Sequence, residues 1–174
     1  QDYRFAEVFS SLTRAPQSLA GRISEIPGVS KVETRVASFA NLTVPGFAEP
    51  IIGRVVSIPE GHEPLLNVLY LRKGRLVEAH RSDEVVLSEA FADAHGLQPG
   101  DKLQAVINGK QRHLTIVGTA LSPEYIHQLR PGGVFPDFKR YGVLWMGRDA
   151  LGSAYDLDGA FNDVALGLSR NAQV

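Results

Sequence analysis

His62, His80, His95, His113 and His127 are the side chains of this 174-residue chain best suited to hold a metal or move a proton near neutral pH. No two of them have the close helical or strand spacing that brings ligands onto one ion. Asp93 and His95 are too close along a helix to share a face. His80 stands near Asp83 and Glu84 in a polar stretch whose composition is that of a solvated turn. Asp156 and Asp158 could act as acid and base, but Asp156-Leu157-Asp158-Gly159 has the chemistry of a helix-to-strand turn. No serine occupies a Gly-x-Ser-x-Gly elbow. The phosphate-cradling patterns Gly-x-Gly-x-x-Gly and Gly-x-x-x-x-Gly-Lys-Ser/Thr are also absent, which removes an ATPase reading. The sequence therefore assigns no catalytic residue, no metal and no cofactor.

The remaining candidate is a contact surface. Residues 131–141, Pro-Gly-Gly-Val-Phe-Pro-Asp-Phe-Lys-Arg-Tyr, form a Pro/Gly-rich connection with three aromatics: Phe135, Phe138 and Tyr141. A loop that keeps apolar side chains either tucks them onto the core or presents them to a partner. Both readings stand for these residues. With Tyr125 from the same long connection, they are the expected partner-binding residues. Trp145, between Leu144 and Met146, is expected in the core.

Composition limits the partners. Eighteen Lys and Arg balance nineteen Asp and Glu without a run of like charge, so no basic surface for nucleic acid is foreseen. Apolar residues make up 44% and charged residues 21%, the proportions of an ordinary globular protein. Absence of cysteine removes disulfides and thiolate chemistry without deciding the compartment. The longest apolar stretches, 50–59 and 64–71, are far shorter than the ~20 residues that span a bilayer. The first residue is Gln1, and the sequence reads as a piece of a longer protein.

The elements that would position these residues follow from periodicity. Residues 3–10 suggest a strand, and Pro16 suits the first turn of a helix. Leu19, Ile23 and Ile26 would line one face of that helix, which Pro27-Gly28 ends. Alternation over 32–38 predicts one half-buried strand. Residues 141–146, 149–157 and 161–169 predict a strand, a helix and a strand. Between these ends come strands at 51–58 and 84–87, an ambiguous apolar run at 65–71, and a helix at 89–95 with Ser88 as N-cap and Gly96 as its left-handed terminator. Asn108-Gly109 predicts a two-residue hairpin placing Leu103 opposite Leu114, with the second strand running to Leu121. The expected class is α+β, with ferredoxin-like βαβ halves from the two chain ends, 1–48 and 139–174, and a β-rich insertion at 49–138. No repeat of fixed period is evident.

Three runs resemble the extracytoplasmic, or periplasmic core, domain of MacB/FtsX-like ABC transporter permeases. They are Arg72-Lys73-Gly74-Arg75, Glu84-Val85-Val86-Leu87-Ser88-Glu89-Ala90-Phe91-Ala92 and Gly96-Leu97-Gln98-Pro99-Gly100-Asp101-Lys102-Leu103. Leu114-Thr115-Ile116-Val117-Gly118-Thr119-Ala120 and Ile26-Pro27-Gly28-Val29 extend the resemblance over nearly the whole chain. The stretches at 141–146 and 159–162 are similar to the first such domain of long FtsX-like permeases. The resemblance implies a non-catalytic domain between two transmembrane helices on the periplasmic face of the bacterial inner membrane. The βαβ ends would be a membrane-proximal, porter-like subdomain, and the insertion an outward, sabre-like one. Its implied partners are a cytoplasmic ATPase subunit, a second permease copy or paralogue, and an extracytoplasmic protein, lipoprotein or exported substrate. The rival expectation is a free-standing periplasmic module that binds a small molecule or peptide in the crevice between subdomains.

Overall fold

The structure is a computed structural model that describes residues 4–126 and 128–170; Tyr3 and His127 lie outside them. The first unit is strand β1 (Val8–Pro16), helix α1 (Leu19–Ser24) and strand β2 (Val29–Arg35). Strand β10 (Ala160–Leu168) lies between β1 and β2, antiparallel to both, giving a three-stranded terminal sheet ordered β1-β10-β2. Leu19 and Ile23 of α1 pack on Ala15, Phe161 and Val164. The helix stops before Ile26, whose side chain is exposed instead of joining that face.

The larger sheet contains β3 (Ala37–Thr43), β4 (Ile51–Ile58), β5 (Tyr70–Gly74), β6 (Glu84–Ser88), β7 (Lys102–Ile107), β8 (Lys110–Leu121) and β9 (Tyr141–Gly147). Its order is β5-β8-β6-β9-β4-β3-β7, and β7 also pairs with β8. Six strands therefore close into a barrel, with β5 attached outside as an edge of β8. Leu42, Val55, Leu87, Leu103, Ile116 and Leu144, one from each barrel strand, belong to a single apolar cluster that fills the ring. Helix α2 (Glu89–His95) adds Phe91 to this cluster, and α3 (Arg148–Ala154) adds Leu151.

The barrel has internal two-fold logic. In each half an antiparallel strand pair, β3-β4 or β7-β8, sends its second strand alongside a parallel partner that leads straight into a helix. Those partners are β9 before α3 and β6 before α2. Across the axis β6 pairs antiparallel with β9, and β3 with β7. One half is split along the chain while the other is continuous, which leaves no fixed period to detect.

Several local expectations hold. Helix α2 spans Glu89–His95, Gly96 takes φ +65°, and the Leu97 amide donates to the Ala92 carbonyl at 2.9 Å. Asn108 and Gly109 both have positive φ, and Leu103 faces Leu114. Ser88, however, caps nothing with its side chain; its Oγ accepts from the Val143 amide on β9 instead.

Two expectations are corrected. The predicted strand over 32–38 breaks at Val36, where the chain passes from the terminal sheet into the barrel. Ser57 holds the break, because its amide donates to the Val36 carbonyl at 2.8 Å and its Oγ accepts from the Val36 amide at 2.9 Å. The second ferredoxin-like half does not form as a unit, because β9 pairs in the barrel with β4 and β6 and only β10 joins the terminal sheet. The reason is burial on both faces. Leu144 and Met146 point into the ring, while Tyr141, Val143 and Trp145 enter a second cluster outside it. A strand apolar on both sides needs covering layers on both sides.

A buried ionic fork ties the two sheets together. The Arg35 guanidinium, on a residue 7% exposed, donates through Nε and Nη2 to Asp163 Oδ1 at 2.8 and 2.6 Å. It also donates through Nη1 and Nη2 to the two carboxylate oxygens of Glu124. Glu124 accepts in addition from Asn67 Nδ2 at 3.0 Å. Burial pulls the Arg35 pKa down, but the hydrogen bond and charge of Glu124, with the charge of Asp163, outweigh it and leave the guanidinium above its usual range. Beside the fork, the Asn162 amide pairs with both the N–H and C=O of Ala37, as a strand would.

Replacing Arg35 with Met should therefore destabilise the domain by about 3–5 kcal/mol, because two buried carboxylates lose their common partner. Urea unfolding measures this, and a loss below 1 kcal/mol would contradict it. Gly142 makes the other exacting contact: a Cβ there would lie 2.5 Å from Phe91 Cγ. Gly142→Ala should cost about 1–3 kcal/mol by overpacking, measurable in the same way.

Candidate functional site: an apolar cleft beside the aromatic connection

After β8 the chain turns at Ser122, whose Oγ accepts from the Glu124 amide to start a 3-10 turn, Pro123–Tyr125. The long connection to β9 is pinned where it ends. Arg140 pairs with Glu49 and, at 3.0 Å, with Asp137, and its carbonyl accepts from the Ile52 amide. The hydrogen bond from Arg140 holds the Asp137 carboxyl below the usual carboxylate range.

Between these anchors the expected contact residues separate. Phe135 is 80% exposed, as is Val134 beside it. Phe138 is 36% exposed and lines a cleft. Tyr125 lines the same cleft and meets Trp145 edge-on, with ring centroids 6.3 Å apart. Burial pushes its hydroxyl above the ordinary tyrosine range. Tyr141 is corrected: at 5% exposure it belongs to the cluster outside the ring with Val143 and Trp145, and presents no side chain to a partner. Trp145 is buried, as expected.

The cleft has a volume of about 350 Å³. Tyr125 and Phe138 share it with Tyr70 on β5, Leu121 at the end of β8, Ile126 and Gln128. Tyr70 and Leu121 are direct cross-strand partners, so their side chains stand on one face and together form a wall. Sequence reasoning missed these four. Tyr70 sat in an apolar run of undecided structure, and only the pairing of β5 with β8 reveals which way it faces.

A second cavity of about 330 Å³ lies between the terminal sheet and the barrel. Gln17, Glu33, Ser57, His62, Arg148 and Asp158 are among its lining residues. Burial raises the Glu33 carboxyl, against the lowering effect of hydrogen bonds from the Leu65 and Leu66 amides. Of the other histidines, His95 has Nε2 2.8 Å from the Lys139 carbonyl, between the rings of Phe47 and Phe91. Asp156 takes positive φ in the turn after α3, consistent with its turn chemistry. Among the described residues no three His, Cys, Asp or Glu side chains gather as a metal would require, and no helix is long and apolar enough to cross a membrane.

The overall fold is shared with solved structures. The chain has the fold of MacB-type extracytoplasmic domains. The periplasmic region of MacB from Actinobacillus actinomycetemcomitans superposes on 96% of the chain and 69% of its own length, with TM-score 0.52 at 16% identity. The extracellular domain of the noncanonic ABC-type transporter YknZ from Gram-positive bacteria covers 94% of the chain and 83% of itself, with TM-score 0.57 at 9% identity. A domain assigned to a permease protein of Porphyromonas gingivalis covers 93% and 72%, with TM-score 0.52 at 12% identity. No protein-family profile and no curated protein sequence matches the chain.

The different exposures give the two phenylalanines different expected costs. Phe135→Ser should leave unfolding stability within about 0.5 kcal/mol of the parent, whereas Phe138→Ser should lose about 1–2 kcal/mol. Equal costs in thermal or urea unfolding would show that the connection packs otherwise.

Proposed function

We propose that this chain is the non-catalytic extracytoplasmic domain of an ABC-type permease, passing movement of transmembrane helices to a partner or substrate outside the membrane. The observation that carries this reading is the shared fold over at least 93% of the chain with domains of two ABC transporters and a permease. ATP would be hydrolysed by a separate cytoplasmic subunit, reached through membrane segments flanking this domain, and a second permease copy would complete the transporter. The domain would stand on the periplasmic side of the inner membrane, the first of its kind in a long FtsX-like permease.

The topology suits that task. Val8 pairs with Leu166, so both described ends of the chain meet at one end of the terminal sheet. A force applied there by two membrane helices would act on adjacent strands. It would reach the barrel through Val36, through Asn162 against Ala37, and through the Arg35 fork. The terminal sheet is then the membrane-proximal part and the barrel the outward part, with Phe135, Phe138 and Tyr125 facing the partner. A free-standing binding module would instead rely on the polar crevice between the sheets.

The parent gene should encode apolar stretches of about 20 residues shortly before residue 1 and after residue 174. Polar sequence on both sides would overturn the proposal. In the intact transporter, changing Phe135 and Phe138 together to Ser should lower transport while the ATPase subunit still binds. Unchanged transport would remove the connection from the contact surface.

A further inference from the structure

A cation without a partner stands at one end of the barrel. Arg112 lies opposite Ala105 in the β7-β8 ladder, on the side from which Leu114 and Ile116 fill the ring. Its stem extends that inward face, and its side chain reaches a cleft of about 270 Å³ beside α3. Glu60, His80, Arg81, Ser82 and Asp149 line the cleft with it.

A guanidinium drawn partly out of water ordinarily finds a carboxylate or a carbonyl. Arg112 is partly buried and finds neither among the described residues. Nε is the only one of its three nitrogens that is both closed off and unpartnered, so Nη1 and Nη2, which also lack acceptors, keep open surface in the cleft. The donors are presented, not sealed in.

The other charges of the wall decide what could meet them. Arg81 is shared between Asp83 at 3.6 Å and Glu84 at 3.7 Å. Glu60 is held in place by the Asp149 amide, which donates to its Oε1 at 3.2 Å. Neither Glu60 nor Asp149 is paired with Arg112 among the described residues. A simple anion in this cleft would meet two carboxylates, and a simple cation two arginines. A ligand bearing both charges gains at each end.

We infer that this cleft is a binding site for a small zwitterion, whose carboxylate is received by Arg112 and whose ammonium is received by Glu60 and Asp149. Nη1 and Nη2 can take both oxygens of one carboxylate side by side, the pairing for which a guanidinium is shaped. The volume lies below the ~300–1,000 Å³ of clefts that hold drug-sized ligands, which limits the occupant to amino-acid size. The site is built by this chain alone, so the inference holds whether or not the domain sits in a permease.

The test uses the 174-residue chain and three probes of one carbon-chain length: 4-aminobutyrate, butyrate and butylamine. They carry both charges, the anion alone and the cation alone. Binding is followed at constant ionic strength by 15N-resolved NMR, reading the backbone amides of Arg81, Arg112 and Asp149. 4-Aminobutyrate should shift these signals and bind about tenfold tighter than butyrate or butylamine. In Arg112→Met, which keeps an apolar stem and removes the donors, its affinity should fall about tenfold, to that of butylamine. Glu60→Gln keeps the acceptor for the Asp149 amide and removes the charge, and should weaken 4-aminobutyrate at least about threefold. Butyrate or butylamine binding as tightly as 4-aminobutyrate, an affinity unchanged in either variant, or no shift at these amides at about 50 mM 4-aminobutyrate would each overturn the assignment.

Discussion

Arg35 is the point on which both sheets depend. It ends β2 in the terminal sheet, yet its guanidinium reaches Asp163 on β10 and Glu124 in the turn after β8. A lysine could not replace it, because a compact ammonium lacks the planar fork that serves two carboxylates at once. Buried ion pairs contribute little net stability when compared with well-packed apolar groups, so the fork is better understood as a device that fixes geometry. It joins β10 to the turn after β8 at the place where the chain leaves one sheet for the other, one residue before Val36.

From that seam the rest of the molecule follows in two directions. The terminal sheet has β10 in its centre, so the last strand of the chain holds the first two in register. The barrel closes through the β7-β8 pairing, which leaves β5 as an edge. That edge carries Arg72 and Lys73, charges of the kind that discourage pairing with a foreign strand. The same placement puts Tyr70 beside Leu121, so one wall of the apolar cleft is a by-product of how the edge strand is attached.

Much of the fold was legible wherever the cause is local. Gly96 and Asn108-Gly109 announce themselves because few other residues tolerate positive φ, and α2 and the hairpin lie where these residues require. Strand β4 was readable from a short apolar run bounded by prolines. The fate of β9 was not, since an apolar run says that a strand is buried on both faces without saying between which neighbours. The break at Val36 was hidden for a related reason: alternation continues across it, and only Ser57, far along the chain, reveals that two sheets share the stretch. The candidate site divides in the same way. Phe135 and Phe138 could be suspected because aromatics are unusual in a Pro/Gly-rich connection. Tyr141 looked equivalent but begins a core strand.

The position of β10 bears on how the protein comes to exist at all. Strands β1 and β2 have no direct ladder with each other and must wait for β10, which is made only after β3 to β9. The barrel needs nothing from β10 to close its ring, so it can condense while that strand is still being made. Bringing the two chain ends together last carries a smaller entropic penalty once the intervening residues are already compact. The nascent chain would therefore hold β1, α1 and β2 in suspense, their apolar face uncovered until β10 arrives to join them.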